Sequence, residues 1–533
     1  MSQHEQEANG MASDPQGLSR RRFLSSSGKA VAASAFVGSG AIGTLLAACG
    51  GSPSSTNGKT TVTYTFDAFT QLPDSSLVAQ AMSNTSQFKS LNIQVALNPI
   101  QSAAYDQKLQ LGYAAGQPYD VVFTAPWVNT YTTNAQKGNF LAIDALLPKY
   151  APALYKSMPT AFWDAVRVNG KIYGVPNQNY FAYVMGVFIN KNLAEKYAAY
   201  LPASDTLGSY SDLDPFLDQI KAHEPSVTPL YMAQSGLDGG FIFNNIDYGF
   251  DSFAGSAVAG IRFQDPQLQV LNIFETPEFQ QAVELRWEWG QKGYFKKTPV
   301  PADQGAVAVQ NGQYAVLFGQ QAKPNDIPGI EEHFGIPLVI KKVGPTFLST
   351  QSILQNMNSI PRTCPHPEQA MQFLNLVNTD APIFNLLCHG IEGKHYVFVN
   401  QAEKLIGYPS GVTATSDRYN PATDWMFGNE QNGYYTDPGS VGIYADIQQA
   451  NNAAPRSTAF GFSFDPTNVT TQIAQLTPIT GAVGTGSLST ALQYGQLNPN
   501  QLPKYLAQIR QAGGDQVVAE AQKQINAWKQ KQG

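Results

Sequence analysis

Strand-like and helix-like patterns of apolar residues alternate along the chain from about residue 60. Residues 61–66 alternate polar and apolar side chains with the period of a β-strand, and residues 92–97 and 119–123 predict two further strands. Helical segments, one beginning near Ser76 and one over residues 104–115, separate these strands. The β-α-β-α-β succession predicts a sheet with parallel strands flanked by helices, so the fold class is α/β.

The alternation continues beyond these strands. Residues 170–176 predict a turn, residues 180–190 an aromatic strand and residues 191–200 a helix, and a second turn and strand are predicted at 311–319. Further helices are predicted at 367–377, 381–388, 502–512 and 515–529. The chain contains no internal repeat, which argues against a solenoid.

One helix has clear start and stop signals. Thr276 and Pro277 predict its first turn, because threonine caps free N–H groups and proline fits the first helical position. Gly290 or Gly293 predicts its end.

Aromatic and acidic side chains that could bind a ligand lie where two of the predicted parallel strands end. Phe66 and Asp67 close the first strand, and Trp127 follows the third. In open α/β sheets, ligands bind in the crevice beyond the carboxyl ends of the strands. We therefore expect these residues to lie at one edge of the sheet and to face a ligand.

Length and charge limit the number of lobes and the classes of partner that the sequence supports. The chain has 533 residues, more than one hydrophobic core usually supports, so we expect two lobes. Lys and Arg number 33 against 39 Asp and Glu, for a net charge of -6, and no basic tract occurs beyond the N-terminus. This composition gives no indication of a nucleic-acid partner.

The first fifty residues carry export signals. Arg20 and Arg21 lie in a twin-arginine pattern, and the moderately apolar stretch at 30–48 leads to Cys49 through small residues that resemble a lipobox. We expect residues 1–48 to be a signal peptide, Cys49 to be lipidated, and residues 49–58 to form a flexible tether. The protein would then be extracytoplasmic and membrane-anchored through its lipid. The alternative is a transmembrane helix near the lower length limit of about 17 residues.

Motifs for catalysis or metal binding are not found in the sequence. There is no nucleophile elbow, phosphate-binding loop or dinucleotide fingerprint, and His366, His389 and His395 lack metal-ligand spacing. We therefore expect a protein that is not an enzyme, with no catalytic residues, no metal and no cofactor, and we interpret His395 as a structural histidine. Cys364 and Cys388 fit buried free thiols better than a disulfide, although an exported protein permits either.

Several segments together resemble the family 1 extracellular solute-binding proteins of ABC importers. More specifically, the chain resembles the larger lipoprotein branch associated with oligosaccharide or polysaccharide uptake, and residues 390–396 are the most branch-specific run. The match extends over the mature chain and includes the segments 170–176, 188–193, 279–295, 312–318, 367–380, 389–396, 425–429, 460–465 and 518–528.

The resemblance implies a two-lobed, periplasmic-binding-protein-like (type II) fold that closes on its ligand. By analogy, hinge crossovers are expected near Val175, Pro301 and Ser352. Lobe one would comprise residues 59–175 plus 301–352, and lobe two residues 176–300 plus 353–533. The implied partners are the permease subunits of an ABC importer, and we expect a monomer.

Sugars present flat apolar faces and a rim of hydroxyls, so aromatic rings and paired amides or carboxylates bind them. The candidate ligand-binding residues combine both types, although each aromatic residue could instead pack in a core. They are Phe66, Asp67, Trp127, Asn177, Gln178, Asn179, Tyr180, Tyr183, Phe318, Gln320, Trp425 and Asn429. The scarcity of arginine in these segments favours a neutral glycan. The alternatives are a peptide or other polar solute, a surface adhesin, or a carbohydrate hydrolase or lyase.

Overall fold

A computed structural model describes residues 58–231, 249–253, 255–296, 307–321, 331, 335–414, 416–480, 491–492 and 495–532. The expected export signal at Arg20 and Arg21 and the expected lipidation site Cys49 lie outside these residues. The described residues contain two five-stranded sheets, a three-stranded sheet and two two-stranded sheets.

The described chain combines strands with helices. The strands are β1 (Thr60–Ala68), β2 (Ile93–Gln101), β3 (Val121–Thr124), β4 (Arg167–Val168), β5 (Lys171–Ile172), β6 (Gly174–Pro176), β7 (Tyr183–Asn190), β8 (Thr206–Leu207), β9 (Thr228–Tyr231), β10 (Phe250–Ser252), β11 (Ala259–Arg262), β12 (Leu271–Asn272), β13 (Tyr314–Gln321), β14 (Leu338–Phe347), β15 (Met357–Ser359), β16 (Val397–Asn400) and β17 (Leu405–Gly407). The α-helices span Ser75–Ser83, Ser86–Ser90, Ser102–Ala114, Tyr131–Gln136, Leu146–Tyr150, Pro152–Ser157, Thr160–Ala165, Lys191–Lys196, Asp214–His223, Pro277–Lys292, Thr350–Ile353, Pro367–Thr379, Ala381–His389, Ile443–Ala453, Thr470–Thr480, Leu502–Gln511 and Gly514–Gln532.

The first sheet has the strand order β2-β1-β3-β15-β6. β1 pairs in parallel with both β2 and β3, which confirms the predicted β-α-β-α-β unit. β15 then pairs antiparallel with β3 and β6, so a strand that lies far along the chain completes this sheet. The carboxyl ends of β1 and β3 therefore lie side by side at one edge.

The second sheet has the order β8-β14-β7-β13-β9. β7 lies in the middle and pairs antiparallel with β13 and β14. A separate three-stranded antiparallel sheet of β10, β11 and β12 also contributes Ile261 to the apolar core of this second lobe.

The lobe boundaries differ from those expected from the sequence. The strand predicted at 311–319 pairs with β7 and β9 in the second sheet, and β14 pairs with β7 and β8, so β13 and β14 belong to lobe two rather than lobe one. The helices Pro367–Thr379 and Ala381–His389 pack in the core that contains Val62, so they belong to lobe one. The chain returns to lobe two near residue 457, because Ala459 packs in that lobe's core. Strand pairing between distant segments decides these memberships, and local pattern does not encode it.

The segments that cross between the lobes are bonded to one another. The backbone N–H of Leu348 donates to Pro455 at 2.9 Å, and the N–H of Ser457 donates to Leu348 at 2.8 Å. The side-chain oxygen of Asn451 accepts from the N–H groups of Phe181 and Ala182 at 2.8 and 2.9 Å. The crossing segments near residues 180, 348 and 456 thus form one bonded unit.

The helix Pro277–Lys292 has the predicted ends. The Thr276 side chain accepts from the N–H of Phe279, and Gly293 ends the helix with a positive φ of 72°. A side chain at Gly290 would collide with the Gly495 carbonyl, at 2.4 Å from an added Cβ. Glycine therefore lets the C-terminal part of the chain approach this helix closely.

Candidate functional site

Aromatic rings gather at the edge where β1 and β3 end. Phe69 follows β1, Phe123 lies within β3, Trp127 follows it, and Trp425 is presented by the short 3-10 helix Asp424–Met426. The ring centroids of Trp127 and Trp425 are 6.0 Å apart, those of Phe123 and Trp425 5.9 Å, and those of Phe69 and Trp425 6.3 Å. We call Phe69, Phe123, Trp127 and Trp425 the aromatic platform.

The outer rings of the platform face solvent. Trp127 is 54% exposed and Phe69 is 53% exposed, whereas Phe123 beneath them is fully buried. A single exposed ring is common on a protein surface, but neighbouring exposed rings are typical of a binding site. The platform thus offers two flat apolar surfaces above the buried ring of Phe123.

Polar groups lie one or two residues along the chain from three of the rings. Asp67 is 1% exposed, and its Oδ2 accepts a hydrogen bond from the Ser102 hydroxyl at 2.9 Å. Burial raises the pKa of this carboxyl. Asp67 Oδ1 and the hydroxyls of Thr124 and Thr423 are buried without a hydrogen-bond partner among the described residues. Buried polar atoms are normally paired, so these three groups favour a site that a bound molecule or water completes.

Asn177 belongs to a buried polar network at the first crossing. Its Nδ2 donates to the Met426 carbonyl at 2.6 Å, and its Oδ1 accepts from Asn358 at 2.8 Å. The Tyr64 hydroxyl donates to Asn358 Oδ1 at 2.9 Å and contacts the same carbonyl. This network attaches the segment that carries Trp425 to the first sheet, so Asn177 supports the platform from within the protein.

The candidate residues next to Asn177 also make hydrogen bonds within the protein. The Gln178 amide donates to the Ser157 hydroxyl at 2.9 Å, and its backbone pairs with residues 428–430. Asn179 accepts at its carbonyl from Asn451 at 2.8 Å, and Asn429 Oδ1 accepts from the N–H of Gln431 at 3.1 Å. Tyr180 is 5% exposed.

Phe66 lies in the core of lobe one. Its side chain is fully buried, with its ring centroid 5.1 Å from that of Phe427 in an edge-to-face contact. Phe69, three residues further on, is the exposed ring of this strand end. It was not among the candidate ligand-binding residues, although its place just after the strand end and before the break at Pro73 is visible in the sequence.

The remaining candidates lie on lobe two. The backbone of Tyr183 begins β7, and Phe318 lies in β13 opposite Val187. The side chains of Tyr183, Phe318 and Gln320 lie outside the described part of the structure.

The described residues contain no cluster of three or more side chains suited to a metal ion. Cys364 and Cys388 are free thiols. Cys388 is buried, and Cys364 lies 3.4 Å from Asp120 Oδ1, so the interpretation as thiols rather than a disulfide is confirmed.

With this geometry established, comparison with known proteins identifies the family. The model of the bacterial extracellular solute-binding proteins matches residues 73–382, more than half of the chain. The chain belongs to this family. A second model, described only as a domain of unknown function (DUF3502), matches residues 458–530. Family membership places the protein outside the cytoplasm, and none of the described helices has the length and apolarity needed to span a membrane.

Relatives from Streptococcus pneumoniae resemble most of the chain. A carbohydrate ABC transporter substrate-binding protein is 25% identical over 429 residues, which are 79% of this chain and 82% of the relative. The crystal structure of an N-glycan transport solute-binding protein superposes with a TM-score of 0.75 at 22% identity, covering 89% of this chain and 100% of that one. The same protein in complex with Man5GlcNAc superposes with a TM-score of 0.66 at 21% identity, covering the same shares. These matches confirm the two-lobed α/β fold.

Proposed function

We propose that this solute-binding protein captures an oligosaccharide at the aromatic platform and delivers it to the permease subunits of an ABC importer. The observation that carries the proposal is the pair of half-exposed rings, Trp127 and Phe69, beside the buried carboxylate of Asp67. The relatives described as binding carbohydrate support the same substrate class.

The chemistry of a sugar fits this arrangement. An apolar sugar face stacks on an indole ring, and the hydroxyls at its rim can donate to Asp67 Oδ1 and exchange hydrogen bonds with Thr124 and Thr423. A site with such groups rejects analogues that lack a hydroxyl, because its own polar atoms would then remain unpaired. The complex of the structural relative with Man5GlcNAc makes a neutral glycan our preferred ligand.

The mode of attachment is also part of the proposal. Export through the twin arginines Arg20 and Arg21, lipidation of Cys49 and a tether over residues 49–58 would hold the binding domain near the permease. Mass spectrometry of the N-terminal peptide from the native membrane tests this, and Cys49→Ala should release the protein from the membrane. A peptide that begins upstream of Cys49, without added lipid, would contradict it.

Calorimetric titration with Man5GlcNAc tests the binding proposal. We expect saturable binding without cleavage of the glycan, and Trp127→Ala should weaken it about tenfold, since ring contacts contribute about 1 kcal/mol or more. Tyr200→Ala is the matched control, because Tyr200 is an exposed aromatic residue of lobe two. Equal affinity of Trp127→Ala and the wild type would move the site elsewhere, and cleaved glycan would indicate an enzyme.

A further inference from the structure

The branch-specific run at residues 390–396 folds back on itself around His395. His395 is 3% exposed, and its Nδ1 accepts from the N–H of Ile391 at 2.9 Å. Its Nε2 lies 3.3 Å from Oδ2 of Asp74. Gly390 has a φ of 75°, and a Cβ there would lie 2.4 Å from His395 Nδ1. The glycine therefore lets the loop close so that the imidazole reaches Asp74, and the interpretation of His395 as a structural histidine is confirmed.

Asp74 is the meeting point of three chain segments. Arg418 Nε donates to its Oδ1 at 2.8 Å, and Lys394 Nζ lies 3.2 Å from its Oδ2. The N–H of Asp74 donates to the carbonyl of Arg418 at 3.2 Å. Burial by itself would raise the pKa of Asp74, but the hydrogen bonds from Arg418, Lys394 and His395 together outweigh it and lower the pKa to about 2. The carboxylate is thus ionised throughout the physiological range.

Two of the three segments carry rings of the aromatic platform. Phe69 lies five residues before Asp74, and Trp425 lies seven residues after Arg418. The Thr70 hydroxyl donates to the carbonyl of Asn420 at 3.1 Å, between the Asp74–Arg418 pair and the rings. At its other end, the Trp425 segment is held by the Met426 carbonyl, which accepts from Asn177 and Tyr64. Asp74 and Met426 therefore fix opposite ends of the segment that presents Trp425.

We propose that Asp74 is a positioning residue for ligand binding, which sets the distance between Phe69 and Trp425 without contacting the ligand. The inference rests on the proposed function in one respect only, namely that the platform binds the glycan. The geometric part, that Asp74 fixes the rings, can be tested on the free protein. It also gives the branch-specific run a role, which is to deliver Lys394 and His395 to Asp74.

Fluorine NMR of the protein labelled with 5-fluorotryptophan measures the geometric part. Single Trp→Phe variants assign the Trp127, Trp425 and Trp289 resonances. In Asp74→Asn we expect the Trp425 signal to shift or broaden, and the Trp127 signal with it, because the ring contacts change. Trp289 should stay unchanged, because it is buried in lobe two, where its indole N–H donates to Asp214 at 2.6 Å.

The matched control is Asp144→Asn. Asp144 is a carboxylate of the same lobe, paired with Arg167 at 2.8 Å and accepting from the N–H of Ile172 at 3.1 Å. Arg418→Ala is a second test variant in case Asp74→Asn does not fold, because the Arg418 side chain is 60% exposed and its loss leaves no cavity. Both Asp74→Asn and Arg418→Ala should weaken Man5GlcNAc binding about fivefold to tenfold, as expected when the support of a binding site loosens.

The outcomes separate the two proposals. Shifted Trp425 and weaker binding in the test variants, with Asp144→Asn unchanged in both, would support the positioning role. An unshifted Trp425 signal in Asp74→Asn and Arg418→Ala would overturn it, whatever the affinity. A shifted signal in a protein that never binds the glycan would contradict the proposed function and leave the geometric role of Asp74 standing.

Discussion

The aromatic platform and the first crossing segment lie on the same lobe and are joined through Met426, yet their side chains differ in exposure to solvent. The platform leaves the apolar rings of Trp127 and Phe69 exposed, while the crossing buries the polar amides of Asn177 and Gln178. Each arrangement inverts the usual preference of its residue types. Exposed rings have free surface for a ligand, whereas the buried amides already have partners within the protein. An exposed ring or a buried polar atom without a partner therefore marks a candidate ligand contact, whereas a buried amide that is already hydrogen-bonded within the protein marks support.

The largest effect we predict contrasts two aromatic residues two positions apart. Phe427 is 1% exposed and packs on Phe66 and Tyr64, so Phe427→Ala should lower the free energy of unfolding by about 3–5 kcal/mol. Trp425→Ala should lower the free energy of unfolding by only about 1 kcal/mol, because Trp425 is half-buried. It should, however, weaken glycan binding more than Phe427→Ala does. Urea denaturation and calorimetric titration measure the two quantities. Equal losses of stability would show that Trp425 is a core residue.

A buried carboxyl beside the third crossing gives a pH-dependent test. Burial raises the pKa of Asp251, and a hydrogen bond from Ser457 lowers it by less, so the pKa is about 6. Between pH about 4 and 6 the folded state therefore binds more protons than the unfolded state, so wild-type stability falls as the pH rises through this window.

Asp251→Asn removes this penalty. It should raise the free energy of unfolding by up to about 3 kcal/mol at pH about 7.5, and the gain should vanish below pH about 4, where the carboxyl is neutral in both states. Denaturation curves at a series of pH values measure it. A gain that does not depend on pH would show that ionisation of Asp251 is not the cause.

We expect the amide network around Asn177 to affect the stability of the protein more than its affinity for the ligand. Asn177→Ala removes a donor to Met426 and an acceptor for Asn358, so it should cost about 2 kcal/mol of unfolding free energy. Asn192→Ala is the control, because Asn192 is an exposed amide and should change stability by less than about 0.5 kcal/mol. If Asn177→Ala instead abolished binding at unchanged stability, the amide would belong to the ligand site.

The smallest effect concerns Asp67. Because burial raises its pKa, acidification should protonate this carboxyl earlier than an exposed one and remove an acceptor for sugar hydroxyls. Glycan affinity should therefore fall as the solution is acidified towards the raised pKa of Asp67, and Asp67→Asn should bind with little dependence on pH. Titrations at a series of pH values measure this. An identical pH dependence in wild type and Asp67→Asn would assign it to another group.

Local patterns were sufficient for part of this structure. The capping Thr276 and the terminal Gly293 defined a helix correctly, and the alternation at 61–66 defined β1, because each signal acts within a few residues. The strand order near β13 could not be predicted in this way, since its partner β7 lies more than one hundred residues away. Asn177 looked like a ligand residue because nothing in the sequence reveals that Tyr64, Asn358 and Met426 surround it.

A crystal structure of the protein with Man5GlcNAc would test the central claim most directly. We expect a sugar ring stacked on Trp127 or Trp425 with carbon atoms at about 4 Å, and a sugar hydroxyl within hydrogen-bond distance of Asp67 Oδ1. A glycan bound elsewhere, with the platform still exposed to solvent, would contradict the assignment of the site.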